Sequence, residues 1–239
     1  MERALSWEEK YRPQTLDEMC GHEREIRELR DYLASGDCPH LLLVGPPGTG
    51  KTTVAKIIGN AIVGPDGEGT DIHEWNASDV RGIDFVRERI IPFGRALPFG
   101  GRRRVVVLDE ADGLTKEAMD ALKRPMEQMA RNCVFIFTAN DETRFIPALK
   151  SRLRVLRFDG IPAEAAAKWV LALLTREGVE TDFPSVLTLC QMVAEESARE
   201  TLCDGVDMRK AIQSARALAP AVPAAMAVSP ARAPYVGVR

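Results

Sequence analysis

A glycine-rich turn is the first place where this sequence could do chemistry. The residues GPPGTGKT, from Gly45 to Thr52, follow the apolar run HLLLV and precede an apolar stretch with helical spacing. Glycines let backbone N–H groups converge on an anion, and the start of the next helix adds its positive dipole end. Lys51 can then reach the β- and γ-phosphates of a nucleotide, and the Thr52 hydroxyl can reach Mg²⁺. A chance glycine turn is the alternative, but the strand–turn–helix order argues against it.

The segment therefore predicts a phosphate-binding loop. Its predicted nucleotide-binding residues are Gly45, Pro46, Pro47, Gly48, Thr49, Gly50, Lys51, Thr52 and Thr53.

A pair of acidic residues ends the apolar run VVVLDEAD. Parallel sheets bind ligands at the carboxyl ends of their strands, and Asp109 and Glu110 stand at such an end. Asp109 is predicted to hold Mg²⁺ through water, and Glu110 to act as the base that orients the attacking water. The alternative is a solvated acidic strand end. Paired with the phosphate loop, the two residues indicate that the nucleotide is hydrolysed as well as bound.

Asn140 ends a second apolar run, FIFTAN. A polar amide at that position could place the same water near the γ-phosphate. An asparagine that merely begins a turn explains the residue equally well.

The elements that position these side chains alternate between strand and helix up to about Phe158. This alternation predicts right-handed crossovers and a parallel sheet. We expect Pro92 to stop the helix of GIDFVRERI, Thr115 to cap the next helix, and Pro125 to kink or break that helix. After Pro162 the pattern predicts helices alone.

Composition and charge argue against several classes of protein. The chain has 239 residues, is 45% hydrophobic and 28% charged, and carries a net charge of −3. No apolar run is long enough to span a membrane, and the charged first residues do not read as a secretory signal. Five scattered cysteines without a CxxC argue against a disulfide or zinc framework. Any contact with nucleic acid must come from a local basic patch.

Six blocks of sequence resemble the small subunit of replication factor C, the AAA+ clamp-loader ATPase of archaea and eukaryotes. They are WEEKYRPQTLDEMCGH, PHLLLVGPPGTGKTT, NASDVRGIDFVRERI, VVVLDEADGLTKEAMDALKRPME, TANDETRFIPALKSRLRVLRF and DMRKAI. EKYRP and NASDVRGID are far more specific than the phosphate loop and the acidic pair, which many ATPases share. The likeness is dense over residues 6–160 and thin over 161–218.

The resemblance implies an α/β fold of the AAA+ P-loop type, with a five-stranded parallel sheet and a small all-helical lid. The expected domains are 1–160 for nucleotide binding and 161–218 for the lid. Residues 219–239 are expected to form a disordered Ala/Pro tail, where family members continue into a collar domain.

The resemblance also implies roles for single residues and the cofactors ATP and Mg²⁺. Tyr11 and Arg12 match the adenine-side segment, and Asn140 matches the position called sensor 1. Arg152 matches the arginine finger offered in trans to a neighbour's ATP, and Arg209 matches sensor 2 on the lid. On residue pattern alone, each of these two arginines could equally be a surface charge.

Arg81 and Arg87 match the helix that tracks template phosphates in the DNA channel, with a solvated helix face as the alternative. The implied partners are other clamp-loader subunits in a hetero-oligomer, a sliding clamp and primer–template DNA, with no membrane. We expect a cytoplasmic protein, or a nuclear one if the source is eukaryotic. Two alternative functions remain open: an ATP-binding regulatory subunit that hydrolyses little, and another AAA+ DNA remodeller such as a branch-migration motor.

Overall fold

A single parallel sheet organises the first part of the chain. The computed structural model describes residues 5–67, 69–79, 81–100, 102–201 and 204–218. Within them lie five strands: β1 (Leu41–Val44), β2 (Ile72–Asn76), β3 (Arg104–Asp109), β4 (Cys133–Ala139) and β5 (Arg154–Arg157). They pair in parallel in the order β2-β3-β4-β1-β5. The predicted α/β class with a five-stranded parallel sheet is confirmed.

Ten α-helical segments accompany the sheet within the described residues: α1 (Trp7–Lys10), α2 (Glu23–Ser35), α3 (Lys51–Val63), α4 (Ile83–Phe85), α5 (Ile91–Arg95), α6 (Lys116–Met129), α7 (Pro147–Lys150), α8 (Ala163–Arg176), α9 (Phe183–Thr201) and α10 (Met208–Leu218). A π-helical turn, Val86–Ile90, joins α4 to α5. In the part of the chain that the structure describes, no helix combines the length and the apolar character needed to cross a bilayer.

Helices cover both faces of the sheet, which is why the central strands β1 and β4 are buried along their whole length. All four residues of β1 and all seven of β4 are buried. Helices α2 and α3 pack on one face through residues such as Leu29 and Ile58. The other face is covered by the segment from α4 to α5 and by α6, through residues such as Ile90 and Leu122.

A second apolar core lies among α8, α9 and α10. Its buried residues include Ala167, Val170, Cys190 and Ala211. An isolated antiparallel bridge pairs Ile161, just after the sheet, with a residue before α10. A helical lid over 161–218 remains our prediction for this region. The predicted disordered tail, 219–239, lies outside the described residues.

The prediction that Pro92 stops its helix was wrong. Pro125 was predicted to kink or break α6; it does not break the helix, and the kink stays a prediction. The helical segment runs past Pro92 to Arg95, and α6 runs without interruption through Pro125 to Met129. Pro92 follows the π-helical turn, whose wider backbone leaves room for a ring that would crowd an α-helical carbonyl. Pro125 is itself buried, and the apolar packing of α6 on the sheet offsets the one backbone hydrogen bond that it removes. The Thr115 cap is confirmed, because its hydroxyl accepts a hydrogen bond from the Ala118 N–H.

His40, just before β1, hydrogen-bonds to the backbone of both α6 and β4. Its side chain is buried, its Nε2 donates to the Met126 carbonyl at 3.2 Å, and its Nδ1 accepts from the Phe135 N–H at 3.1 Å. Burial lowers the pKa of the imidazole below its usual value. The two hydrogen bonds require the neutral ring, so a proton on Nδ1 would break one of them.

We expect this histidine to make folding acid-sensitive. Its folded pKa lies below the unfolded value of about 6.5, so the unfolded chain binds the proton first. Stability is then full above about pH 6.5 and falls as the pH drops toward the folded pKa, by up to about 1.4 kcal/mol per pH unit. Urea unfolding between pH 7.5 and 5.5 measures this slope. His40→Gln should make the slope shallower, and an unchanged slope would refute the assignment.

Candidate functional site

The carboxyl ends of three neighbouring strands meet at one edge of the sheet. Because β4 lies between β1 and β3, its last residues stand between the loop that follows β1 and the acidic pair that ends β3. The Gly45 N–H donates to the Ala139 carbonyl at 3.2 Å, which joins the start of that loop to β4. The edge is also the point where the strand order reverses, the usual place for a ligand in an open α/β sheet.

The loop between β1 and α3 has a conformation that requires glycine at two positions. Gly48 and Gly50 have φ angles of +75° and +90°. A Cβ on Gly48 would also overlap the carboxylate of Asp207, which precedes α10. Gly50 precedes the first turn of α3, where no side chain caps the free backbone N–H groups. Those N–H groups and the helix dipole make the loop suited to an anion.

Lys51 is buried at the centre of this loop, with 8% of its surface exposed. Its Nζ donates to the carbonyls of Gly45 and Pro46 at 2.7 Å each, and to Asn140 Oδ1 at 3.1 Å. Burial lowers the pKa of the amine to about 8. Three neutral acceptors thus surround one ammonium group, and the amine can exchange some of them for the stronger negative charge of a phosphate.

Asp109 and Thr52 form a compact group of oxygen atoms beside the loop. The Thr52 hydroxyl donates to Asp109 Oδ1 at 2.9 Å, and the Thr138 hydroxyl donates to the same oxygen. Magnesium prefers oxygen ligands of this kind and usually takes only one or two from the protein. The two predicted metal ligands are therefore adjacent.

Glu110 adopts an uncommon backbone conformation for a residue other than glycine, with φ at +52°. Its N–H donates to the Thr138 hydroxyl at 3.1 Å, and its carboxylate accepts from the Ser78 hydroxyl at 2.5 Å. Outliers of this kind persist where the surrounding structure holds them, often at functional sites. The Arg81 Nε in turn donates to the Ser78 carbonyl at 2.8 Å.

The rest of the pocket is lined by residues of the segment 8–13 and by residues of α8 and α10. Tyr11 and Arg12 line this part together with Trp169 and Arg209. The Tyr11 hydroxyl donates to Glu177, just after α8, so the segment is fastened to that helix. Because its lining is largely apolar away from the phosphate loop, this end of the pocket suits a nucleobase.

The residues present fit a magnesium-bound nucleotide. Arg12 Nε is buried and lacks a hydrogen-bond partner within the described structure, although Arg12 lines the pocket. Free amides, an ammonium group and a hydroxyl–carboxylate pair lie along the same pocket. A polar ligand with several phosphates would pair with these groups.

The structure thus brings most of the predicted nucleotide-site residues to one pocket. Those that line it are Tyr11, Arg12, Pro47, Gly48, Thr49, Gly50, Lys51, Thr52, Thr53, Asp109, Glu110, Asn140 and Arg209. Gly45 and Pro46 contribute the two carbonyls that Lys51 binds. Their roles in binding and catalysis remain predictions.

Three predicted residues lie elsewhere. Arg152 follows α7 and pairs with Glu127 on α6, and it does not line the pocket. Arg87 is exposed on the π-helical turn, while Arg81 is exposed in the loop before α4 and so precedes the helix on which we expected it.

Sequence reasoning missed three residues of the site. Thr138 contacts both acidic residues, Ser78 contacts Glu110, and Trp169 forms part of the apolar wall. A hydroxyl two residues before the expected Asn140, in an otherwise apolar strand, was a usable signal for Thr138. The sequence held no such signal for Trp169, because a tryptophan in an apolar helix is usually predicted to be a core residue.

Comparison with known proteins agrees with this geometry. Residues 41–160 match the model of the ATPase family associated with various cellular activities (AAA). The replication factor C small subunit of Archaeoglobus fulgidus is 44% identical over 181 residues, covering 75% of this chain and 56% of the relative. That of Natronomonas pharaonis is 42% identical over 213 residues, covering 89% and 62%. The chain therefore spans about three fifths of the length of these relatives.

A solved structure with the same fold is the Holliday junction branch migration motor RuvB of Thermotoga maritima. It aligns with a TM-score of 0.61 over 87% of this chain and 72% of its own, at 19% identity. An identity this low establishes a common fold and nothing about function.

Proposed function

This chain belongs to the AAA family of ATPases, and from that premise we propose that it is an ATPase subunit of a DNA sliding-clamp loader. The predicted resemblance to replication factor C small subunits is confirmed by relatives 40–45% identical. In the proposed role, binding and hydrolysis of ATP drive the placement of a clamp on primer–template DNA. The partners would be other loader subunits, the clamp and the DNA, in the cytoplasm or, for a eukaryotic source, the nucleus.

One observation carries the catalytic part of the proposal. Lys51, Asp109 and Glu110 meet at one end of the pocket, and the hydroxyl of Thr138 contacts both acidic residues. A pocket that only held a nucleotide would not need a carboxylate beyond the one paired with Thr52. Glu110 supplies that second carboxylate in a fixed backbone conformation.

The residues divide the work of phosphoryl transfer between binding and activation. The loop amides and Lys51 bind the phosphates, and Thr52 and Asp109 would hold Mg²⁺, whose charge supports the developing negative charge of the γ-phosphate. Glu110 accepts the proton of the attacking water, and the Asn140 amide orients that water. Arg209, near the start of α10, lines the same pocket and adds a positive charge there.

The subunit is proposed to share its active site with a neighbour. Arg152 lies outside its own pocket and its side chain is partly exposed, so its guanidinium could contact the nucleotide of an adjoining subunit. An arginine supplied in trans raises the rate of phosphoryl transfer by about 10³- to 10⁵-fold. The isolated chain should therefore bind ATP and hydrolyse it slowly.

A clamp-loading assay tests the proposal directly. The subunit is assembled with its partner subunits, and retention of a labelled clamp on circular primed DNA is measured with ATP and with a non-hydrolysable analogue. Loading that requires the wild-type subunit supports the role. ATP-dependent movement of a four-way junction without clamp retention would favour a branch-migration motor, and loading unaffected by Glu110→Gln would favour a regulatory subunit.

Arg81 and Arg87 give a separate prediction for DNA binding. If both contact phosphates, their joint replacement by alanine should lower the slope of log affinity against log salt by about two units, equally for all sequences. Fluorescence anisotropy of the assembly on primed DNA at several salt concentrations measures this slope. Arg24 and Arg27 on α2, at the opposite face of the sheet, are the control pair. An unchanged slope in the Arg81/Arg87 variant would exclude the contact.

A further inference from the structure

The contacts of Arg152 differ from those expected of a free surface arginine. Its Nε lies 2.7 Å and its Nη2 2.6 Å from the same carboxylate oxygen of Glu127 on α6. Its Nη1 donates to the carbonyl of Ala148 in α7. The guanidinium is thus bound on two sides by two different helices.

This arrangement fixes the direction of the guanidinium without covering it. The side chain of Arg152 keeps 31% of its surface exposed and that of Glu127 keeps 55%. A flexible arginine in solvent samples many rotamers, and ordering it costs conformational entropy. An arginine already ordered by its own subunit does not incur that cost when it meets a phosphate.

The helices that hold Glu127 and Arg152 are fixed in the core. Glu127 lies on α6, whose neighbouring residues Met126 and Met129 are fully or nearly fully buried against the sheet. Leu149, within α7, is also fully buried. Both helices that hold Arg152 are therefore anchored in the core, whereas an isolated surface ion pair between mobile groups would hold nothing in place.

We propose that Glu127 is a positioning residue that orients Arg152 toward the nucleotide of the adjoining subunit. This inference rests on the proposed function, because it takes Arg152 as the residue supplied in trans. Glu127 itself touches neither nucleotide. Its carboxylate binds Nε and Nη2 of the guanidinium, and the part of the guanidinium that stays exposed faces solvent.

The expected effect follows from the sensitivity of catalysis to geometry. A displacement of about 1 Å can lower a rate by about 10²-fold. Glu127→Ala should thus slow hydrolysis at the neighbour's site by about 10²-fold, less than the loss of Arg152 itself. Glu127→Gln keeps an acceptor oxygen at the same reach and should recover most of the rate.

The test is a double-mutant cycle in the assembled complex, with ATP turnover scored only at the neighbour's site. Glu127→Ala, Arg152→Ala and the double variant are compared, with thermal unfolding of each variant as a check on folding. Asp120→Ala is the matched control, since Asp120 is an exposed acid on the same helix that pairs with Lys123. Positioning predicts that Glu127→Ala adds no further loss to Arg152→Ala, and that Asp120→Ala leaves turnover at the wild-type rate.

The outcomes distinguish failure of the positioning role of Glu127 from failure of the proposed role of Arg152 in trans. If Arg152→Ala slows the neighbour's site and Glu127→Ala does not, the positioning role is wrong and the shared site stands. An additional loss from Glu127→Ala in the Arg152→Ala background would show that Glu127 acts by another route, which also overturns the inference. If Arg152→Ala itself has no effect on the neighbour, the assignment in trans fails and the positioning role fails with it.

Discussion

Replacing Arg152 by alanine is expected to slow ATP hydrolysis at the adjoining subunit's site by about 10³- to 10⁵-fold, because that is what an arginine in trans contributes to phosphoryl transfer. ATP binding to the variant's own pocket should be unchanged, since Arg152 does not line it. The measurement is turnover in mixed assemblies. Lys51→Ala blocks one site at a time, so each remaining rate belongs to a known site.

Arg154 provides the control for this prediction. It lies two residues further on, is exposed at the edge strand β5, and pairs with Glu28 of α2. Arg154→Ala removes a surface ion pair of small energetic value and should leave both sites at the wild-type rate. Loss of turnover in the Arg152→Ala subunit's own site, with the neighbour at full rate, would show that the arginine acts in cis.

The second large effect concerns Lys51 and Glu110, which we propose act in ATP binding and in hydrolysis respectively. Lys51→Ala should abolish ATP binding, because the ammonium is the one side-chain cation inside the phosphate loop, among the residues the structure describes. Glu110→Gln should leave binding intact and slow turnover by at least about 10²-fold, since it removes only the base. Equilibrium binding of a fluorescent ATP analogue and single-turnover hydrolysis in the assembly separate the two effects.

Glu117→Gln is the matched control for the second substitution. Glu117 is an exposed acid in the first turn of α6, and it does not line the pocket. It should bind and hydrolyse ATP as the wild type does. Wild-type turnover by Glu110→Gln in an active assembly would remove Glu110 from the role of base.

The sequence predicts the phosphate loop and the acidic pair because each is contiguous and flanked by clear elements. Gly48, Gly50 and Lys51 lie within four residues of one another, so the sequence alone predicts both the tight turn and the positive charge inside it. Thr138 and Ser78 are not predicted in this way, because their importance depends on which strands become neighbours in the sheet. Only the strand order, with β4 between β1 and β3, brings Thr138 beside both Asp109 and Glu110.

The continuity of the helical path at Pro92 and Pro125 has the opposite origin. Local backbone rules predict a stop at Pro92 and a kink or break at Pro125, and these rules describe an isolated helix. In the protein, Ile90 and Met126 are fully buried against the same face of the sheet, and this packing holds the helical path on either side of the ring. Tertiary contacts of this strength are not visible in a window of ten residues.

The attachment of residues 7–13 to the helices beyond residue 160 limits the order in which parts of the chain can fold. Trp7 packs in the core formed by α8–α10, and Lys10 and Tyr11 bond to Glu177, 167 and 166 residues away. Contacts between such distant residues form slowly, because a long chain must close on itself first. During synthesis, residues 7–13 leave the ribosome before the helices that bind them and therefore remain undocked while the sheet and its phosphate loop form. The base side of the pocket can close only after the helices beyond residue 160 have emerged.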